Sequence, residues 1–199
     1  AAIVGATRGK RLDFAMLKYL PNTLTILRLL LALPLGVLIL REQYAAALLI
    51  GAIAGLTDAL DGFIARRLNA MSNFGAALDP VADKILITVT FLCLAEAELV
   101  PWYLAIAVIA RDLIIVAGAA CYYKFIGPFE FAASSLSKSN MLIQITFCVL
   151  VLLIQVVDGI PPEAAIMGTA AVLFLAAASG FDYIMSWAIK AMESRKTKE

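Results

Sequence analysis

Six long apolar runs alternate with short polar breaks along the chain, at roughly 23–40, 44–68, 74–97, 101–124, 137–157 and 163–189. Each is long enough to cross a bilayer as a helix, which takes about 20 residues rising ~1.5 Å apiece. The breaks hold helix-ending chemistry. Pro21 and Asn22 precede the first run, Arg41 and Glu42 part the first from the second, and Asn69 to Asn73 part the second from the third. Pro101 opens the fourth run, Gly127 and Pro128 follow it, and Gly159, Pro161 and Pro162 close the fifth. No repeat or low-complexity linker intervenes. The pattern predicts an all-α fold: one integral membrane bundle of six transmembrane helices over residues 21–190. Residues 1–20 differ, with Arg8, Lys10, Arg11 and Lys18 set among apolar positions. They predict a short amphipathic helix lying in the membrane interface. Residues 191–199 read as a basic tail.

Composition agrees. Hydrophobic residues make up 63% of the 199 and mean hydropathy is +0.93, where a soluble domain is nearer half apolar. A net charge of +1 gives nucleic acid no electrostatic footprint. The basic residues orient the bundle. With the N-terminus inside, the inner segments carry Arg8, Lys10, Arg11, Lys18, Arg66, Arg67, Lys124, Lys138, Lys190, Arg195, Lys196 and Lys198, whereas the outer ones carry Arg41. Cytoplasmic loops hold the Lys/Arg excess, so both termini are expected on the cytoplasmic side, or the matrix side in a mitochondrion. The expected location is a bacterial or mitochondrial inner membrane. Cys93, Cys121 and Cys148 are scattered inside apolar runs and read as small hydrophobes rather than as a metal or disulfide framework.

Against this background four aspartates stand out, Asp58 and Asp61 in the second run and Asp79 and Asp83 in the third. Each charged Asp at a helix centre costs about 2.5–3.5 kcal/mol on insertion scales. A bound divalent cation offsets that cost and requires ionised ligands. The chain has no histidine, so a metal must be held by oxygen, which favours hard cations such as Mg²⁺ or Mn²⁺. Asp58 and Asp61 are one helical turn apart, with Gly62 and Ala65 on the same face. Gly75, Asp79 and Asp83 form a second stripe at four-residue spacing. The short link between the runs makes the two helices antiparallel neighbours, and the stripes are expected to converge ~15 Å from the cytoplasmic helix ends. Gly62, Ala65 and Gly75 leave room for a large ligand, and Arg66 at the mouth suits a phosphate. Two cations gripping a diphosphate are a common arrangement for phosphoryl chemistry. Single intramembrane aspartates also serve as interhelical hydrogen-bonding groups, small residues also mediate membrane packing, and Arg66 and Arg67 also fit as topology anchors.

The run from Asp58 to Asp83 reads DALDGFIARRLNAMSNFGAALDPVAD. It resembles the CDP-alcohol phosphotransferase family, whose pattern is D-x-x-D-G-x-x-A-R, eight residues, then G-x-x-x-D-x-x-x-D. Asp58, Asp61, Gly62, Ala65, Arg66, Gly75, Asp79 and Asp83 meet every fixed position. The resemblance implies two divalent cations held by Asp58, Asp61, Asp79 and Asp83, with Asp83 also the general base. It implies that Asp58, Gly62, Ala65, Arg66 and Gly75 accept the CDP part of the substrate. It further implies a homodimer and phosphatidyl transfer from CDP-diacylglycerol to an alcohol, with release of CMP.

The acceptor has to be read elsewhere. PNTLTILR (21–28), ARDLIIVAGA (110–119), LSKSN (136–140) and AAASG (176–180), with the motif region, are similar to the eukaryotic-type cardiolipin synthase branch of that family. That branch implies phosphatidylglycerol as acceptor. The competing branch takes glycerol 3-phosphate and typically has Arg-Glu where Arg111–Asp112 stands, followed by another Arg. Here Leu113 to Ala120 is apolar and small. Arg111 and Lys138 are the expected partners of the acceptor's phosphate, with Arg28 a third candidate. Arg111 also suits a salt bridge to Asp112 or another aspartate, and Lys138 suits an interfacial anchor; Lys84 has no assigned role. Two other classes remain at this point: a divalent-cation transporter, which has no need of Gly62, Ala65 and Arg66, and a membrane scaffold, which has no need of buried carboxylates.

Overall fold

Helix boundaries in the computed structural model follow the apolar runs closely. Backbone is described for residues 25–68, 73–125 and 135–196, and side-chain surroundings for 25–57, 82–118 and 136–186. The elements are α1 (Thr25–Leu40), α2 (Tyr44–Leu68), α3 (Asn73–Glu96), α4 (Trp102–Phe125), α5 (Ser135–Val156) and α6 (Glu163–Lys196). Among the described residues there is no strand, as the all-α reading requires. The expected interfacial helix at 1–20 lies outside the described residues. α6 is 34 residues long and runs past the expected end at 189 into the expected tail. The reason is local: AIKAMESRK contains good helix formers and no Gly or Pro, so the helix continues after the apolar run stops.

The distribution of side chains identifies the solvent. Leu33, Leu142, Phe174, Ile166 and Met167 are 67–75% exposed, while Arg28 and Asn140 are 1% exposed and Ser179 is 0%. A water-soluble protein shows the reverse. Large apolar side chains outside and polar ones inside are what a hydrocarbon surround selects, so the protein is membrane-embedded. Threonine hydroxyls follow the same logic by bonding back to carbonyls of their own helices, as Thr90 does to Leu86 at 2.8 Å and Thr169 to Ala165 at 2.8 Å. By length and composition, Leu136–Val156 and Glu163–Ser186 are each sufficient to cross a membrane, and Thr25–Leu40 and Tyr44–Thr57 are shorter apolar helices.

The helices fall into two units, Ala1–Cys93 and Leu94–Glu199. In the first, α1 buries Thr25, Arg28, Ala32, Leu35 and Ile39 along one stripe. Gly36 shares that stripe, and a Cβ there would lie 2.9 Å from the Cys93 sulfur and 3.2 Å from Val89 of α3. The glycine therefore sets how closely α1 approaches α3. In the second unit α6 packs against both α4 and α5. Its contact stripe is Thr169, Val172, Ala176 and Ser179. Gly168 meets the Phe147 ring so closely that a Cβ would fall 2.5 Å from it.

Each unit contains one tight helix end of the same kind. Glu42 stands at φ 59° and Glu98 at φ 58°. Gln43 N–H bonds to Leu38 and Glu42 N–H to Ile39, and the same pattern joins Leu99 to Leu94 and Glu98 to Ala95. This six-to-one plus five-to-two pairing satisfies the last carbonyls of α1 and α3. It normally uses glycine at the left-handed position, and here a glutamate occupies it in both cases.

Candidate active site

The aspartate motif falls on the two consecutive helices that its spacing requires. Asp58, Asp61, Gly62, Ala65 and Arg66 lie on α2, and Gly75, Asp79 and Asp83 on α3, with residues 69–72 between the helices. Side chains of Asp58, Asp61, Ala65, Arg66 and Asp79 lie outside the described ones, as do the surroundings of Gly62 and Gly75. α3 contains Pro80, which has no N–H for the carbonyl of residue 76, so one backbone acceptor within the aspartate stretch lacks its usual helical partner.

Asp83 is the described member of the set. Its carboxylate is 20% exposed and accepts a hydrogen bond from Nη1 of Arg28, whose side chain is 1% exposed. The two are 55 residues apart, and the pair joins α1 to α3. Arg28, the third candidate for the acceptor's phosphate, is thus engaged with the expected general base. The donor set is carboxylate oxygen throughout, and this fits a hard divalent cation.

A second polar group lies inside the other unit. Arg111 of α4 is 8% exposed. Its Nη1 donates to the Asp112 carboxylate at 2.6 Å. Its Nη2 donates to Ser137 of α5 at 3.1 Å and to Ser179 of α6. The expected salt bridge to Asp112 is present, and Arg111 also ties three helices together. Lys138 is exposed beside Ser137. Ser137, Ser179, Asn140 and Gln144 carry no expected role from the sequence. The last two are 1% and 3% exposed on α5. Their signal is in LSKSNMLIQ, where Ser137, Asn140 and Gln144 recur at one-turn spacing in an apolar helix, and in AAASG, where Ser179 interrupts one.

The sequence profile of the CDP-alcohol phosphatidyltransferase family matches residues 18–178. Over 99 residues the chain is 48% identical to the cardiolipin synthase (CMP-forming) of Rattus norvegicus and equally to that of Homo sapiens, a match covering 49% of this chain and 33% of each relative. Over 104 residues it is 38% identical to the CDP-diacylglycerol–glycerol-3-phosphate 3-phosphatidyltransferase of Pseudomonas fluorescens, covering 49% of this chain and 53% of the relative. The matched segment thus spans about a third to a half of the length of these curated relatives.

Proposed function

The chain belongs to the CDP-alcohol phosphatidyltransferase family, and on that premise we propose that it moves the phosphatidyl group of CDP-diacylglycerol to phosphatidylglycerol, forming cardiolipin and CMP. One observation carries this reading. All eight fixed motif residues fall on consecutive helices, α2 and α3, inside the matched region. Asp58, Asp61, Asp79 and Asp83 would hold two Mg²⁺ or Mn²⁺ ions, which neutralise the diphosphate and the charge developing on the leaving group.

The chain's own residues do the rest. Gly62, Ala65 and Gly75 let the nucleotide approach the helix backbones, and Arg66 binds a phosphate oxygen. Arg28 fixes the orientation of the Asp83 carboxylate. Asp83 takes the proton of the acceptor hydroxyl. That oxygen attacks the phosphatidyl phosphorus, a new P–O bond forms, and the bond to the CMP phosphate breaks with its electron pair leaving on CMP. Arg111 and Lys138 face the acceptor's phosphate. The bundle spans the membrane six times with this site on the cytoplasmic or matrix side, and two copies associate.

Phosphatidylglycerol is favoured over glycerol 3-phosphate by the higher identity to the CMP-forming cardiolipin synthases. Arg111 supports it as well, since Asp112 already balances its charge and a small dianion would be left uncompensated in a buried site. The test is an acceptor panel: purified full chain in vesicles with CDP-diacylglycerol, Mn²⁺ or Mg²⁺, and each acceptor in turn. CMP and cardiolipin with phosphatidylglycerol are expected. CMP with glycerol 3-phosphate alone would move the chain to the other branch, and no CMP with any alcohol would favour a cation transporter.

A further inference from the structure

Three buried polar atoms of the second unit have no hydrogen-bond partner among the described residues: Arg111 Nε, Asn140 Oδ1 and Gln144 Nε2. Two are donors and one is an acceptor. Each such group costs about 1–3 kcal/mol when it is buried unsatisfied, and in a membrane-embedded bundle no bulk water reaches it. They are also related in space. Ser137, Asn140 and Gln144 follow one another at intervals of three and four residues, so they share a stripe of α5. Ser137 stands at the head of that stripe and accepts a bond from Arg111 at 3.1 Å. The two amides thus share a stripe of α5 with Ser137, the residue that meets the guanidinium, and Ser179 of α6 meets the same guanidinium.

We propose that Asn140 and Gln144 are specificity-determining residues that bind the glycerol head group of the acceptor, with Arg111 Nε donating to its phosphodiester. This rests on the acceptor reading above and deepens it. The chemistry of these groups selects the ligand. A hydroxyl is both donor and acceptor, so a single one can donate to Asn140 Oδ1 and accept from Gln144 Nε2. A carboxylate or phosphate oxygen cannot donate and leaves Asn140 unsatisfied. A cationic ammonium head group donates to Asn140 but cannot accept from Gln144. Arg111 is charge-balanced by Asp112, so the phosphate best tolerated beside it carries one negative charge, as a phosphodiester does. The matching ligand is a neutral polyol on a monoanionic phosphodiester. Its secondary hydroxyl is bound by the two amides, which leaves its terminal hydroxyl free to react.

The test varies ligand and protein together. Wild-type protein in vesicles with CDP-diacylglycerol and Mn²⁺ is given phosphatidylglycerol or phosphatidyl-1,3-propanediol, which keeps the reacting hydroxyl and lacks the secondary one. The expected acceptor KM is at least about ten-fold higher for the propanediol lipid, because a site built to bond a hydroxyl rejects the analogue without it. In Gln144→Met, of similar volume, and in Asn140→Ala, that difference should shrink to within about two-fold while the KM for CDP-diacylglycerol holds. Equal KM values for the two acceptors in wild-type protein would overturn the assignment without any variant, so a variant that fails to fold does not shelter it. A preference that persists unchanged in both variants would likewise overturn it. If the wild type makes no cardiolipin at all, the acceptor reading fails first, and the two failures are thereby distinguished.

Discussion

The two units handle buried charge in opposite ways. In the first, the arginine and the acid it pairs with come from different helices, Arg28 of α1 and Asp83 of α3, and Asp58, Asp61 and Asp79 add further acids on α2 and α3. The four aspartates equal in number Arg28, Arg66, Arg67 and Lys84 of the same helices, but Arg66 and Arg67 stand in the last turn of α2. In the second, Arg111 is paired with its sequence neighbour Asp112, and the remaining contacts are hydroxyls. On the proposed reading the first set of helices holds external cations through its carboxylates, whereas in the second Arg111 is balanced and offers hydrogen bonds. Carboxylates suit hard cations, and hydroxyls and amides suit an uncharged polar group.

The sharpest way to break that contrast is to remove one carboxylate. Asp83→Asn should lower kcat by about 10²–10⁴-fold with the protein still folded and inserted, as read by CMP release and by thermal unfolding in detergent. Near wild-type turnover would take Asp83 out of the mechanism. Arg28→Ala comes next. It removes a buried arginine from a part-buried acid, and a loss of about 1–3 kcal/mol of stability is expected, with kcat falling while both KM values stay close to wild type. Arg28→Lys should recover part of both effects. On the other side, Arg111→Ala should raise the acceptor's apparent KM about ten-fold and leave that of the CDP lipid nearly unchanged. Equal shifts in both would erase the functional difference between the units. The smallest effect is structural and common to both. Glu42→Gly and Glu98→Gly each relieve a left-handed glutamate, and each should stabilise by about 0.5–1 kcal/mol, seen as a modest rise in Tm.

Sequence patterning located the helices because their ends are written locally. The second apolar run, 44–68, coincides with the helix Tyr44–Leu68, and Pro101 opens the fourth run one residue before its helix starts at Trp102. In α6, helix formation continues on polar residues where lipid-crossing composition stops, and hydropathy alone does not register that. The motif was legible as spacing, because a carboxylate in an apolar helix is costly wherever the helix packs. Arg28 was not. Its role depends on α1 lying against α3, a tertiary choice set in part by Gly36 against Val89 and Cys93, and the sequence shows only a lone arginine. Ser137, Asn140, Gln144 and Ser179 are not legible in the sequence for a similar reason. Each is unremarkable by itself, and only packing of α4, α5 and α6 brings Ser137 and Ser179 to the Arg111 guanidinium.

The most direct test of the carboxylate site is to titrate Mn²⁺ into purified protein with CDP-diacylglycerol and count bound ions by paramagnetic resonance. Two saturable ions per chain are expected, reduced in Asp61→Asn and in Asp79→Asn with the fold retained. No saturable binding, or the same binding in all three proteins, would contradict the claim that these aspartates persist in the membrane to hold cations.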